Sequence, residues 1–108
     1  MAKINIDKQV MANVEKFAKE VRKDNDVDAV LIFGSYAKGT QDENSDIDVA
    51  IVLKKIENRF DEMGRLYNYT WNTDTRIEPH PINTDDYLNG NSFLAHEIKQ
   101  HGIQIYAA

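Results

Sequence analysis

The chain has 108 residues, 42% of them apolar, with no cysteine and a formal charge of -5 at pH 7. That length predicts one small domain over residues 1–108 with a modest core, and the lack of cysteine excludes disulfides and thiolate metal sites. The acidic balance is the opposite of a phosphate-backbone footprint, and no apolar run reaches the length of a membrane span.

The opening "MAKINIDKQV" has no apolar signal core, so the expected setting is cytoplasmic, without direct contact to nucleic acid or membrane. From Asp7 to Lys23, the residues Val10, Val14, Phe17, Ala18 and Val21 recur at helical spacing, with Asp7 placed to cap. "AVLIF", Ala29 to Phe33, is a continuous apolar run that predicts a strand buried on both faces. A short helix is expected from about Ser35. "DVAIVL", Asp48 to Leu53, is a second buried strand.

Between Glu57 and Trp71 the spacing of Phe60, Met63, Leu66, Tyr67 and Trp71 predicts an amphipathic helix. Tyr67, Tyr69 and Trp71 are expected to pack on that helix face rather than stack on a base. Thr75 to Asn83 alternates, and Pro79 and Pro81 confine it to a sheet edge or end it early. "TDDYLNGNSFLAHEIKQHG" predicts one or two short helices stopped by Gly102, and "IQIY" a last strand. Strands alternating with helices predict an α/β fold: a small mixed sheet with helices packed against it.

The chemistry concentrates in "FGSYAKGTQDENSDIDVAIVL", Phe33 to Leu53. Strand alternation points Asp46 and Asp48 to one side, their roots roughly 7 Å apart. Two carboxylates at the mouth of a core repel unless one protonates or a cation joins them. A hard divalent ion with oxygen ligands answers that repulsion. Gly34-Ser35 follows the first strand, where a turn into a helix offers backbone N–H groups to an anion. A phosphate cradle beside a carboxylate pair is the minimum apparatus for metal-assisted phosphoryl or nucleotidyl transfer. Glu78, on the third candidate strand, is the obvious third carboxylate, and Arg76 and His80 share its face if alternation holds.

Other motifs fit less well. A calcium loop needs a Gly where Ile47 stands and a Glu where Leu53 stands. A P-loop needs Lys-Ser or Lys-Thr where Thr40 and Gln41 follow Gly39. His80, His96 and His101 have no spacing that makes a zinc site. Asp42 and Glu43 read as a solvated turn, and Lys38 as either a phosphate contact or a solvent-facing side chain.

The stretch Gly34 to Val49 resembles the signature of the DNA-polymerase-β-type nucleotidyltransferases, G-S-x-A-[KR]-G-x(5)-S-D-[IL]-D-[LV]. Gly34, Ser35, Ala37, Lys38, Gly39, Ser45, Asp46, Ile47, Asp48 and Val49 occupy its positions. The small size resembles the minimal nucleotidyltransferase branch. The resemblance implies a polymerase-β-like fold and nucleotide binding at Gly34, Ser35, Lys38 and Ser45. It implies Mg²⁺, in a two-ion site, at Asp46, Asp48 and Glu78, with Glu78 activating an acceptor hydroxyl and ATP as the AMP donor. Stand-alone members of this branch are typically paired with a helical HEPN-family ribonuclease toxin, which they neutralise by adding AMP to a tyrosine. An antitoxin that works by binding alone, or a nucleotide-sensing subunit, is the alternative. The apolar residues of "NSFLAHEIKQHGIQIYAA" beyond those that pack on the sheet are expected to dock such a partner or a second copy of the chain.

Overall fold

Asp7 opens the first helix by accepting hydrogen bonds from the backbone N–H groups of Gln9 and Val10. The computed structural model describes residues 6–108, so the first half of the opening segment read for a signal core lies outside the described residues. Helix α1 spans Lys8–Asp24 and buries the expected stripe of Val10, Val14, Phe17, Ala18 and Val21. Strand β1 is Val27–Phe33, and it runs directly into the short helix α2, Gly34–Lys38. Gly39 stops α2 in the left-handed region at φ 76°.

Strand β2, Ile47–Leu53, lies antiparallel beside β1. Strand β3, Ile77–Asn83, lies parallel to β2 on its other side, and β4, Ile103–Ala107, pairs antiparallel with β1. The order is β3-β2-β1-β4, a mixed sheet as the pattern of elements predicts. A parallel pair needs a crossover. Helix α3, Arg59–Tyr67, and a 3-10 turn, Asn68–Thr70, supply it between β2 and β3. Both prolines stand inside β3, where the edge position spares the ladder their missing N–H.

Strand alternation divides the core between the two faces. Val30, Ile32, Val49 and Ile51 pack with α1 and Leu66 on one side. Leu31, Phe33, Ala50, Val52 and Ile82 pack with Ala95 and Ile98 on the other. The last two belong to α5, Phe93–His101, which follows α4, Thr84–Asn89.

Two expectations are corrected. The helix expected up to Trp71 ends at Tyr67, and of its five apolar positions only Leu66 is fully buried. Phe60 and Trp71 are 87% and 76% exposed. The 3-10 turn winds with three residues per turn, so the residues after it rotate off the α-helical stripe. Arg76 does not join the face of Glu78. It precedes β3 and its guanidinium holds Asp74, which also accepts from the Asn13 amide. As expected, most of the C-terminal apolar residues pack on the sheet: Ile98 is buried, Leu94, Ile103, Ile105 and Tyr106 pack on the two cores, and Phe93 is left 82% exposed.

Candidate active site

Register builds the site. Parallel pairing of β2 with β3 sets Asp48 beside Glu78 and Ala50 beside His80. Alternation points Glu78 and His80 to the same side. On the opposite flank of β2, Phe33 is the register partner of Asp48. The strand end carrying Asp48 therefore abuts the start of α2.

Gly34 explains why that junction is glycine. Its φ is 70°, a left-handed conformation that side chains resist. A Cβ there would collide with the Asp48 carboxylate. The Gly34-Ser35 turn and Asp48 are thus in direct contact, as a cradle and an acid used together require.

The imidazole of His80 completes the cluster. Its Nε2 lies 3.1 Å from Asp48 Oδ1 and 3.6 Å from Glu78 Oε1. Phe33 meets the ring edge-on, with centroids 5.0 Å apart. One donor atom from each of Asp48, Glu78 and His80 lies within 4.8 Å of the others. Burial raises the pKa of Glu78; His80 opposes the rise, while the charges of Asp48 and Asp46 add to it. Asp46 stands one residue before β2 and is exposed, at the rim.

Two expected nucleotide contacts have other partners. The Lys38 ammonium pairs with Glu97 of α5 at 3.2 Å. The Ser45 hydroxyl staples the acidic turn: it accepts from the Asp42 N–H at 2.9 Å and donates to Asp42 Oδ1 at 3.3 Å. Ser35 is half-buried at the first turn of α2, next to Gly34.

Tyr67 is the residue that reading the sequence missed. It ends α3, beside β3, and burial with the charges of Glu78, Asp46 and Asp48 raises its phenol pKa. Helical spacing assigned it to a packing face, and only the docking of α3 on β3 brings it near the carboxylates. The nearness of His80 was partly legible, since it stands two residues after Glu78 on a strand.

The cluster suits a divalent cation. Two carboxylates and an imidazole converge, the carboxylates repel, and a cation would relieve the strain on Glu78. Beside it, a hollow of about 680 Å³ is lined by Phe33, Arg59, His80, Asn83 and Phe93 among others.

The sequence profile described as "Polymerase beta, Nucleotidyltransferase" matches residues 15–108. The chain belongs to this nucleotidyltransferase family. Two Methanocaldococcus jannaschii proteins named as candidate protein adenylyltransferases are similar to it, one 39% identical over 51 residues and the other 45% over 38. Those matches span 44% and 35% of this chain, and the chain covers only 50% and 44% of the length of these relatives.

Solved structures share the nucleotidyltransferase fold. A candidate nucleotidyltransferase from Sulfolobus solfataricus has a TM-score of 0.71 at 20% identity, over 99% of this chain and 90% of that one. A Shewanella oneidensis complex of a tri-AMPylated HEPN toxin with its MNT antitoxin has a TM-score of 0.57 at 20% identity, over 93% of this chain and 73% of that one. A toxin-antitoxin structure with AMP-PNP has a TM-score of 0.58 at 24% identity, over 87% and 73%. No described helix is long and apolar enough to cross a membrane.

Proposed function

We propose that the chain transfers AMP from ATP to a protein hydroxyl, with a tyrosine of a HEPN-type helical partner as the acceptor, and so acts as an antitoxin. The observation that carries this reading is the contact between the Gly34-Ser35 turn and Asp48, with Glu78 beside Asp48 on the next strand. The relatives named as adenylyltransferases and the fold shared with toxin-antitoxin complexes support it.

In this reading the turn at Gly34 and Ser35 receives the triphosphate. Asp46, Asp48 and Glu78 would hold Mg²⁺, which when bound supplies charge neutralisation at the phosphate oxygens. The acceptor oxygen forms a bond to the α-phosphorus, the bond to the bridging oxygen breaks, and pyrophosphate leaves. The acceptor proton goes to Glu78, which stands beside Asp48 on the next strand. Lys38 reaches phosphate only by leaving Glu97, and Ser45 serves by shaping the loop that presents Asp46. The hollow beside His80 gives the nucleotide or the acceptor room to enter.

The test is co-expression with a HEPN-type partner, purification of the complex, and intact-mass measurement after ATP and Mg²⁺. A gain of one or more AMP groups on a partner tyrosine is expected, lost in Asp46→Asn. A complex that forms equally with both proteins, inhibits the partner and carries no added mass in either case overturns the enzyme reading in favour of a binding antitoxin.

A further inference from the structure

We propose that His80 is a direct nitrogen ligand of the catalytic ion, so that the site binds Mn²⁺ in preference to Mg²⁺. This rests on the metal-assisted reading above and refines which ion the site selects.

The geometry is specific to this chain's third strand. The register partner of His80 is Ala50, whose methyl group leaves the imidazole room to lie across β2 toward Asp48. Phe33 backs the ring edge-on, and only 18% of the His80 side chain is exposed. The ring is held in place, with Nε2 directed at the two carboxylates that converge on the same point. An ion drawn in by Asp48 and Glu78 meets an imidazole nitrogen as its third protein donor.

That donor set is not the one Mg²⁺ favours. Mg²⁺ takes oxygen ligands in near-ideal octahedra and keeps several waters. Imidazole suits first-row transition ions, and Mn²⁺ accepts both carboxylate oxygen and nitrogen. Mg²⁺ still binds through the oxygens, so activity with either ion does not test the proposal. Ion choice and ligand identity do.

The experiment loads the full chain with Mn²⁺ and a non-hydrolysable ATP analogue and records pulsed EPR. Wild type is expected to show nitrogen coupling to the manganese that changes on ¹⁵N-histidine labelling. His96 and His101 are exposed on α5, so His80 is the histidine expected to respond. In parallel, calorimetry measures Mn²⁺ and Mg²⁺ affinities for wild type and His80→Gln. The Mn²⁺-over-Mg²⁺ ratio is expected to fall by about tenfold or more in the variant.

If Mn²⁺ binds wild type without histidine-nitrogen coupling, or the ratio is unchanged in His80→Gln, the proposal is overturned while AMP transfer stands. If neither ion binds folded wild type with nucleotide, the metal-assisted reading falls as well. Should His80→Gln not fold, the isotope result on wild type still supports or overturns the assignment.

Discussion

The Asp48 carboxylate occupies the space where a side chain on Gly34 would begin. Asp48 and the Gly34-Ser35 turn are therefore one packed unit, and a change in either displaces the other. Gly34→Ala adds a methyl group against that carboxylate at φ 70°. The left-handed strain alone costs about 1 kcal/mol, and the collision adds to it. Chemical denaturation should show that loss, and nucleotide with Mg²⁺ should no longer raise the melting temperature. Gly64 is the internal comparison: it lies within α3 and nothing lies within 4 Å of a Cβ there. Gly64→Ala should stabilise the protein by about 0.5–1 kcal/mol.

Asp48 lies against the Gly34-Ser35 turn, beside Glu78 on the next strand, and within 3.1 Å of the His80 ring. A ligand that binds only the folded state raises the melting temperature by linkage. Mg²⁺ with nucleotide should do so for wild type, and Asp48→Asn should abolish the rise with the fold intact by circular dichroism. A rise of unchanged size in the variant would sink the assignment of the ion to these carboxylates.

Glu78 is expected to matter to chemistry more than to binding. Glu78→Gln keeps its shape and its register beside Asp48 but cannot take the acceptor proton. Transfer should fall by about 10²-fold or more, while ATP affinity changes little. Single-turnover rates and equilibrium binding measured on the same preparation check this. Normal transfer would move the search for the base elsewhere.

Asp74 sets an acid limit on stability. Hydrogen bonds from the Arg76 guanidinium, then from the Arg76 N–H and the Asn13 amide, outweigh burial and lower its pKa to about 2. The ordinary value is 3.8. A depressed folded-state pKa contributes stability that is present above the ordinary value and is lost as pH falls from about 4 toward 2. The contribution is about 2 kcal/mol near neutral pH. Asp74→Asn should therefore be less stable than wild type at pH 7, with the gap closing at the acid end. A constant gap across that range would contradict the ion-pair origin.

Helix α1, the two buried strands and the acidic motif were legible in the sequence because each depends on neighbours along the chain. Asp7 caps its own helix, an apolar stripe declares its period, and Gly34 to Val49 is one contiguous signature. The Glu57–Trp71 segment was legible only in part. Its spacing is helical, but where the helix yields to a 3-10 turn depends on how the crossover reaches β3.

Local pattern along the chain is enough to give the alternation of helix and strand, the glycine turn, and the carboxylates at Asp46 and Asp48. It also placed Glu78 and His80 two residues apart, a spacing that strand alternation turns to one side. Which atoms meet was settled by packing between elements. Lateral register set Glu78 beside Asp48 and turned His80 onto both, while the docking of α3 brought Tyr67 to the same carboxylates. The same packing took Lys38 to Glu97 and Arg76 to Asp74. Pairing between strands, and the choice of partner for a charge, join residues far apart in the chain. Local periodicity carries no record of them; they follow from which faces bury together.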